Sequence, residues 1–216
     1  MCKFKYVKEE RIEPPVIDIS EFPNNIWFIA DTHFWHSKII HLCNRPFRDA
    51  LEMYTVLKDN WNKSIAPGDT VFILGDLGFL SVTRGREIVE SLNGYKILIL
   101  GNHDESPNQM YNMHLDEVHH EYMLKYKEHL FRLSHFPYKP SLWIYIKCYL
   151  QQRYIGMKDK NPSKGIEDYL IHGHVHNNNN WSKKKRDMIN VGVDVWDFKP
   201  VHINEIITLV NKKEIK

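Results

Sequence analysis

Ile97-Leu98-Ile99-Leu100-Gly101-Asn102-His103-Asp104 is the stretch on which the fold turns. Four consecutive apolar residues read as a buried strand, and the glycine after them ends it. An amide, an imidazole and a carboxylate follow in succession, so this strand delivers polar groups to one point at the edge of its sheet.

Other strands end the same way. Ile26-Trp27-Phe28-Ile29-Ala30 runs into Asp31-Thr32-His33, and Val71-Phe72-Ile73-Leu74 runs into Gly75-Asp76. Downstream, Leu133-Ser134-His135 and Tyr169-Leu170-Ile171-His172-Gly173-His174-Val175-His176 finish in imidazoles. In an open α/β sheet, ligands bind beyond the carboxyl ends of the strands, where groups distant in sequence converge. Oxygen and nitrogen donors suited to metals therefore gather at five strand ends.

The rest of the chain bounds this picture. Its 216 residues suit one domain with a substantial core. A hydrophobic content of 43% without an apolar run near 20 residues points to a soluble protein, with no membrane expected. The start, Met1 to Glu10, lacks the apolar core of a signal peptide. Cys2, Cys43 and Cys148 are scattered and odd in number, which argues against a disulfide framework and for a reducing, cytoplasmic setting. With 29 Lys and Arg against 27 Asp and Glu, net charge gives no indication of a nucleic-acid partner.

The first segment, through Asn25, contains Pro14-Pro15 and Pro23 and is expected to wrap the surface. Ser37 is a candidate cap for a short helix. Leu51, Tyr54, Leu57, Trp61 and Ile65 recur at helical spacing, which predicts an amphipathic helix over about 49–65. A second helix is predicted from Val82 to Leu92, stopped by Asn93-Gly94. Strand, helix and strand in alternation argue parallel pairing with right-handed crossovers. From about residue 115 the pattern changes to strands: Glu117–Leu124, His129–Leu133, Trp143–Leu150, Leu170–His172 and Met188–Val195. The second half is expected to form a mostly antiparallel sheet facing the first.

Taken in order, Asp31-x-His33, Gly75-Asp76, Gly101-Asn102-His103-Asp104, His135 and Gly173-His174-x-His176 resemble the five signature blocks of the calcineurin-like metallophosphoesterases. Singly each is weak: a Gly-Asp pair at a strand end is most often a turn, and a lone histidine most often structural. Together, in order and in strand context, they cover most of the chain. The resemblance implies an α/β fold: a two-sheet β-sandwich flanked by helices, in α/β/β/α layers. It is expected as a single domain over 1–216, with a motif core of about 26–195.

The resemblance also implies a ligand set. Asp31, His33 and His176 would hold one divalent ion, Asn102, His135 and His174 another, with Asp76 between the two. Two cations about 4 Å apart repel each other unless an anionic ligand bridges them. Mixed imidazole and oxygen donors without thiolate suit Mn²⁺, Fe²⁺ or Zn²⁺. His103 would face the leaving oxygen as an acid, oriented by Asp104. Arg45, His36 and His172 are candidates for contacts to the substrate phosphate, Arg45 for its planar fork; a surface arginine and histidines that lie behind the metal ligands are the alternative reading. The basic run Lys183-Lys184-Lys185-Arg186 reads mainly as a solvated loop, with electrostatic guidance of a phosphate as the minor reading.

The implied activity is a dinuclear metal-dependent phosphoesterase that hydrolyses a phosphomonoester or phosphodiester by attack of a metal-bound hydroxide. Its substrate is a phosphate ester, with nucleotides among the candidates. A nuclease or cyclic-nucleotide phosphodiesterase, or a noncatalytic metal-binding scaffold, is the alternative. Retention of His103 argues against the last. Residues 138–168, between two blocks, read as a specificity insertion or an extra hairpin.

Overall fold

The computed structural model of the chain describes residues 16–19, 25–138, 162, 164–177 and 183–211. The predicted strand Trp143–Leu150 and the segment ahead of residue 16 lie outside them.

Residues Val16–Asp18 form β1, Ile26–Ile29 β2, Thr70–Ile73 β3, Tyr95–Ile99 β4 and Glu117–His119 β5. The chain continues through β6 (Tyr122–Tyr126), β7 (His129–Leu133), β8 (Tyr169–His172), β9 (Lys184–Lys185), β10 (Met188–Asn190) and β11 (Val201–His202). The helices are α1 (Ser37–Leu42), α2 (Ala50–Ser64), α3 (Val82–Glu90), α4 (Pro107–Tyr111) and α5 (Ile203–Asn211).

A five-stranded sheet runs β11-β2-β3-β4-β5. As predicted, β2, β3 and β4 pair in parallel; β5, expected in the second sheet, joins them in parallel beside β4, while the short β11 closes the other edge in the opposite sense. Alternation along these strands sorts their side chains to two faces. Ile29, Val71, Ile73 and Leu98 pack with Met53, Leu57 and Trp61 of α2 and Ile88 and Val89 of α3. Ile26, Phe28, Phe72, Ile97 and Ile99 turn the other way, onto the second sheet.

That second sheet has six strands in the order β1-β6-β7-β8-β10-β9. Its inner face gives Tyr122, Leu124, Phe131, Leu133, Ile171 and Ile189 to the shared core, which Ile203, Ile206 and Val210 of α5 complete. The sandwich flanked by helices is thus observed. The sheet is mixed, however, where a mostly antiparallel one was expected. Among the described strands, β1–β6, β7–β8 and β8–β10 pair in parallel, and only β6–β7 and β9–β10 are antiparallel. Strand periodicity carries no direction, and the long connection from β7 to β8 has the length a parallel crossover needs.

Four boundaries also moved. Val16–Asp18 is a strand at the sheet edge, where surface wrapping was expected. Glu117–Leu124 is two strands in different sheets, split at His120-Glu121. The last predicted strand stops at Asn190, and Val193–Val195 is a 3₁₀ turn. α3 ends at Glu90, so Asn93-Gly94, with φ of 94° at the glycine, makes the turn into β4 instead of the helix stop.

Helix starts follow local chemistry. The Asp49 side chain accepts the Glu52 amide at 2.9 Å and caps α2. Ser37 proves to be the first residue of α1; the cap position is His36, whose side chain makes no capping bond.

Candidate metal centre

The carboxyl ends of β2, β3 and β4 sit side by side, and the chain beyond each turns sharply. Asp31 N donates to Gly75 O at 3.1 Å and His33 N to Asp76 O at 3.0 Å, which ties the first two ends together. The two sheets are stitched at the same place. Ala30 N donates to Val191 O and Val193 N to Ala30 O, both at 3.1 Å; within the second sheet, Gly173 N donates to His135 O at 3.1 Å and ties the ends of β7 and β8 together.

Two glycines let these ends approach. A Cβ on Gly173 would lie 2.5 Å from Ala30 Cβ and 2.6 Å from Asp31 Oδ2. One on Gly101 would lie 2.3 Å from Asp76 Oδ1. Only hydrogen fits at either position, so the carboxylates occupy space that any other residue would fill.

All seven ligand candidates converge, in two groups. Donor atoms of Asp31, His33 and His176 lie within 4.8 Å of one another, and so do those of Asp76, His135 and His174. Asn102 Oδ1 joins the second group, 3.1 Å from His135 Nε2. Asp76 Oδ2 stands between the groups, 3.5 Å from His33 Nε2 and 3.5 Å from His135 Nε2.

The donor chemistry fits a cation. His135 Nδ1 is 2.8 Å from Leu74 O, so this nitrogen carries the proton and Nε2 presents a lone pair. That lone pair faces the Asn102 oxygen and His174 Nδ1, each at 3.1 Å. Buried His33 Nε2 has no hydrogen-bond partner among the described residues. Lone pairs converging without shared protons are what a divalent ion satisfies.

Burial sets the electrostatics. It holds His135 and His174 down at about 3, with neighbouring imidazoles adding to the effect, and pushes His33 well below its ordinary value. It also raises Asp76, and lifts Asp31 to about 7 against the pull of His176. His176 goes the other way: burial opposes its charge, but Asp31, Asp194 and Cys43 push it up to about 11. Neutral imidazoles are the form that binds metal, so His33, His135 and His174 are ready for an ion, while His176 must give up a proton to bind one.

The family model for calcineurin-like phosphoesterases matches residues 25–199. The chain belongs to this family. The chain is similar, over most of its length, to the following proteins. An uncharacterized protein of Methanocaldococcus jannaschii is 32% identical over 88% of this chain and 93% of its own. The gene 66 protein of Mycobacterium phage L5 is 30% identical over 87% and 95%. A crystal structure of a protein of unknown function from Aquifex aeolicus superposes with a TM-score of 0.63 at 28% identity, over 86% of this chain and 99% of that one.

Calcineurin-like phosphoesterases are hydrolases of phosphate esters that use divalent metals, and the two donor groups are where this member could hold them. No described helix is long and apolar enough to cross a membrane.

The remaining sequence candidates divide. His103 is exposed at the mouth, its ring 5.5 Å from that of His33 and its amide donating to Asp76 Oδ1 at 2.9 Å. His36 stands beside it, its ring 6.2 Å from His103 and 4.4 Å from the exposed Phe79. Asp104 does not serve the His103 ring as expected. Its oxygens accept the amides of Asp76, Leu77 and Gly101 at 2.8–2.9 Å, so it fixes the backbone of two strand ends. Burial, and the Asp76 charge beside it, raise Asp104 to about 6 against these bonds.

Two substrate candidates move inward. Arg45, expected at a phosphate, has a fully buried side chain paired with Asp194, because the carbonyls of Asp31 and Thr32 and the Asp194 carboxylate consume its fork. His172 is fully buried with Nδ1 2.8 Å from Gly173 O, which keeps it from a substrate at the mouth.

Asp194 and Cys43 were missed. Asp194 Oδ2 lies 2.8 Å from His176 Nδ1, and Cys43 forms a third close group with the same two residues. The signal was present in Met188-Ile189-Asn190-Val191-Gly192-Val193-Asp194, another apolar strand followed by glycine and a carboxylate.

Proposed function

We propose that this protein is a dinuclear phosphoesterase that hydrolyses a phosphomonoester or phosphodiester. The observation that carries the reading is the position of Asp76, one carboxylate oxygen 3.5 Å from an imidazole nitrogen of each donor group. A single carboxylate shared in this way suits two cations held close together.

Asp31, His33 and His176 would hold one ion, Asn102, His135 and His174 the other, and Asp76 both. Bound divalent cations supply Lewis acidity, polarising the phosphoryl group and making water a better nucleophile near neutral pH. The chain's own part is positioning. Asp104 locks the turns after β3 and β4 through three amides, which holds Asp76 and the Asn102-His103 backbone in register. His103, outside both donor groups and open to solvent, is placed to give a proton to the departing oxygen. His36 and Phe79 border the mouth beside it.

The test is reconstitution. Chelator-stripped protein should be inactive on p-nitrophenyl phosphate, bis-p-nitrophenyl phosphate, cyclic nucleotides, dinucleotides and short nucleic acids. Mn²⁺, Fe²⁺ or Zn²⁺ should restore turnover of at least one class, with elemental analysis giving two ions per chain. One ion or none in active, metal-replete protein would overturn the dinuclear reading. Absence of turnover on every ester with two ions bound would make the protein a binding scaffold.

A further inference from the structure

Arg45 and Asp194 stand outside both donor groups, yet they brace one of them at three points. Arg45 Nε and Nη2 donate to the two oxygens of Asp194, each at 2.8 Å, with side chains 0% and 1% exposed. Asp194 Oδ2 is also 2.8 Å from His176 Nδ1. The rest of the Arg45 fork reaches the backbone around Asp31: Nη2 donates to Asp31 O at 2.7 Å and Nη1 to Thr32 O at 3.1 Å.

A buried ion pair is by itself weak evidence of any purpose, since desolvation offsets most of its attraction. The third partner distinguishes this one. A carboxylate held at both oxygens by a planar guanidinium has no freedom to rotate. Accepting the Nδ1 proton of His176, it fixes that ring and leaves Nε2 as the donor on the side of Asp31 and His33. Histidines that bind metals commonly give their other N–H to such a carboxylate, which sets the tautomer and strengthens the donor.

The second donor group is braced differently. His135 Nδ1 rests on Leu74 O, and no hydrogen bond of Arg45 or Asp194 reaches Asp76, His135 or His174 among the described residues. Apart from the His174 amide, which the Asp31 carboxylate accepts at 2.9 Å, the two groups therefore have separate supports.

We propose that Arg45 and Asp194 are a positioning pair for one of two ion sites, the one formed by Asp31, His33 and His176. The proposal rests on the dinuclear reading above and adds that the two ions are held by independent devices, so that one can be loosened alone.

Stripped full-length protein, titrated with Co²⁺ by calorimetry and visible absorption, tests it. The wild type should show two binding steps. An Arg45→Met/Asp194→Leu double variant removes both charges together, which avoids an unpaired buried ion and keeps the fold, as a circular dichroism melt would check. One binding step should weaken about 10- to 100-fold, with a changed cobalt absorption band, while the other stays where it was. Arg45→Lys, which keeps the Asp194 charge but not the fork, should give a smaller loss in the same step; if the double variant does not fold, this variant carries the test. General structural damage would weaken both steps. Equal weakening of both, or of neither, overturns the positioning pair and leaves the two-ion reading standing. Fewer than two steps in the wild type overturns both.

Discussion

Asp31, His33, Asp76, His174 and His176 all carry positive φ, between 48° and 71°. Residues with a side chain adopt that region in only a few per cent of cases, though Asp and His tolerate it better than branched residues do. Each such residue costs roughly 1–3 kcal/mol, so five at one point mark a place where geometry is held against local preference. His103 is outside this group, and its contribution should be separable. His103→Ala should keep both ions and most substrate affinity but lose about 10² to 10⁴ in kcat, more for an alkoxide leaving group than for p-nitrophenolate, which departs without a proton. Asp76→Ala should lose metal as well. Steady-state kinetics with elemental analysis separate the two; a wild-type rate on an alkyl ester removes the acid role, and loss of an ion from His103→Ala makes that residue a ligand. At this scale the sequence was readable wherever a donor follows a strand directly. Arg45 was misread because a guanidinium suits a buried carboxylate as well as a phosphate, and only the fold shows that Asp194, 149 residues away, reaches it first.

The elements hold these residues by bringing strand ends closer than side chains would allow. The end of β8 meets the end of β2 at Gly173, where Ala30 Cβ and Asp31 Oδ2 occupy the place of a side chain. Gly173→Ala should therefore push Asp31 and the turn carrying His174 apart. Overpacking of this kind costs about 1–3 kcal/mol, and here it falls on a carboxylate that also accepts the His174 amide at 2.9 Å. Thermal denaturation should register a lower midpoint, and metal content should drop together with it; a midpoint and an ion count both equal to wild type would show that the contact is slack. The parallel half of the fold was legible because β2, β3 and β4 are apolar runs separated by amphipathic helices, each feature visible within a few residues. Strand direction in the second sheet was not, because Phe131 and Leu133 alternate identically whether Tyr169 and Ile171 run with them or against them. Glu117–Leu124 likewise reads as one strand, and only tertiary packing parts β5 from β6.

At the scale of the whole molecule, the centre concentrates neutral imidazoles inside the protein, and its stability should therefore follow pH. His135 and His174 are held at about 3 and His172 at about 4, against an ordinary value of 6.5, chiefly by burial. Burial lowers His33 and His36 too. Below pH 6.5 the unfolded chain takes up protons at these rings and the folded chain does not, so each of the buried rings His33, His135, His172 and His174 withdraws up to about 1.4 kcal/mol of stability per pH unit until its folded value is reached, and the more exposed, solvent-screened His36 withdraws less. Asp31, Asp76 and Asp104 act in reverse. Burial raises them, Asp31 to about 7 and Asp104 to about 6, so the folded chain keeps protons that the unfolded one releases, and acid favours it there. The imidazoles outnumber these carboxyls, so the balance between pH 6.5 and 4 is loss. Near the bottom of that window Asp194 and Glu167 add to it: despite burial they are held below the ordinary carboxylate range, Asp194 by His176 and Arg45, Glu167 chiefly by Tyr138. Metal-free protein should accordingly melt at a lower temperature at pH 5 than at pH 7. With divalent ions bound, Asp31 and Asp76 exchange their protons for metal, and of the raised carboxyls only Asp104 still opposes the trend, so the loaded protein should start higher and fall more steeply over the same interval. Calorimetric melts at both pH values, with and without Mn²⁺, measure this directly. A metal-free midpoint that is flat or rises on going to pH 5 would mean that the carboxyls, not the imidazoles, govern the stability of the centre.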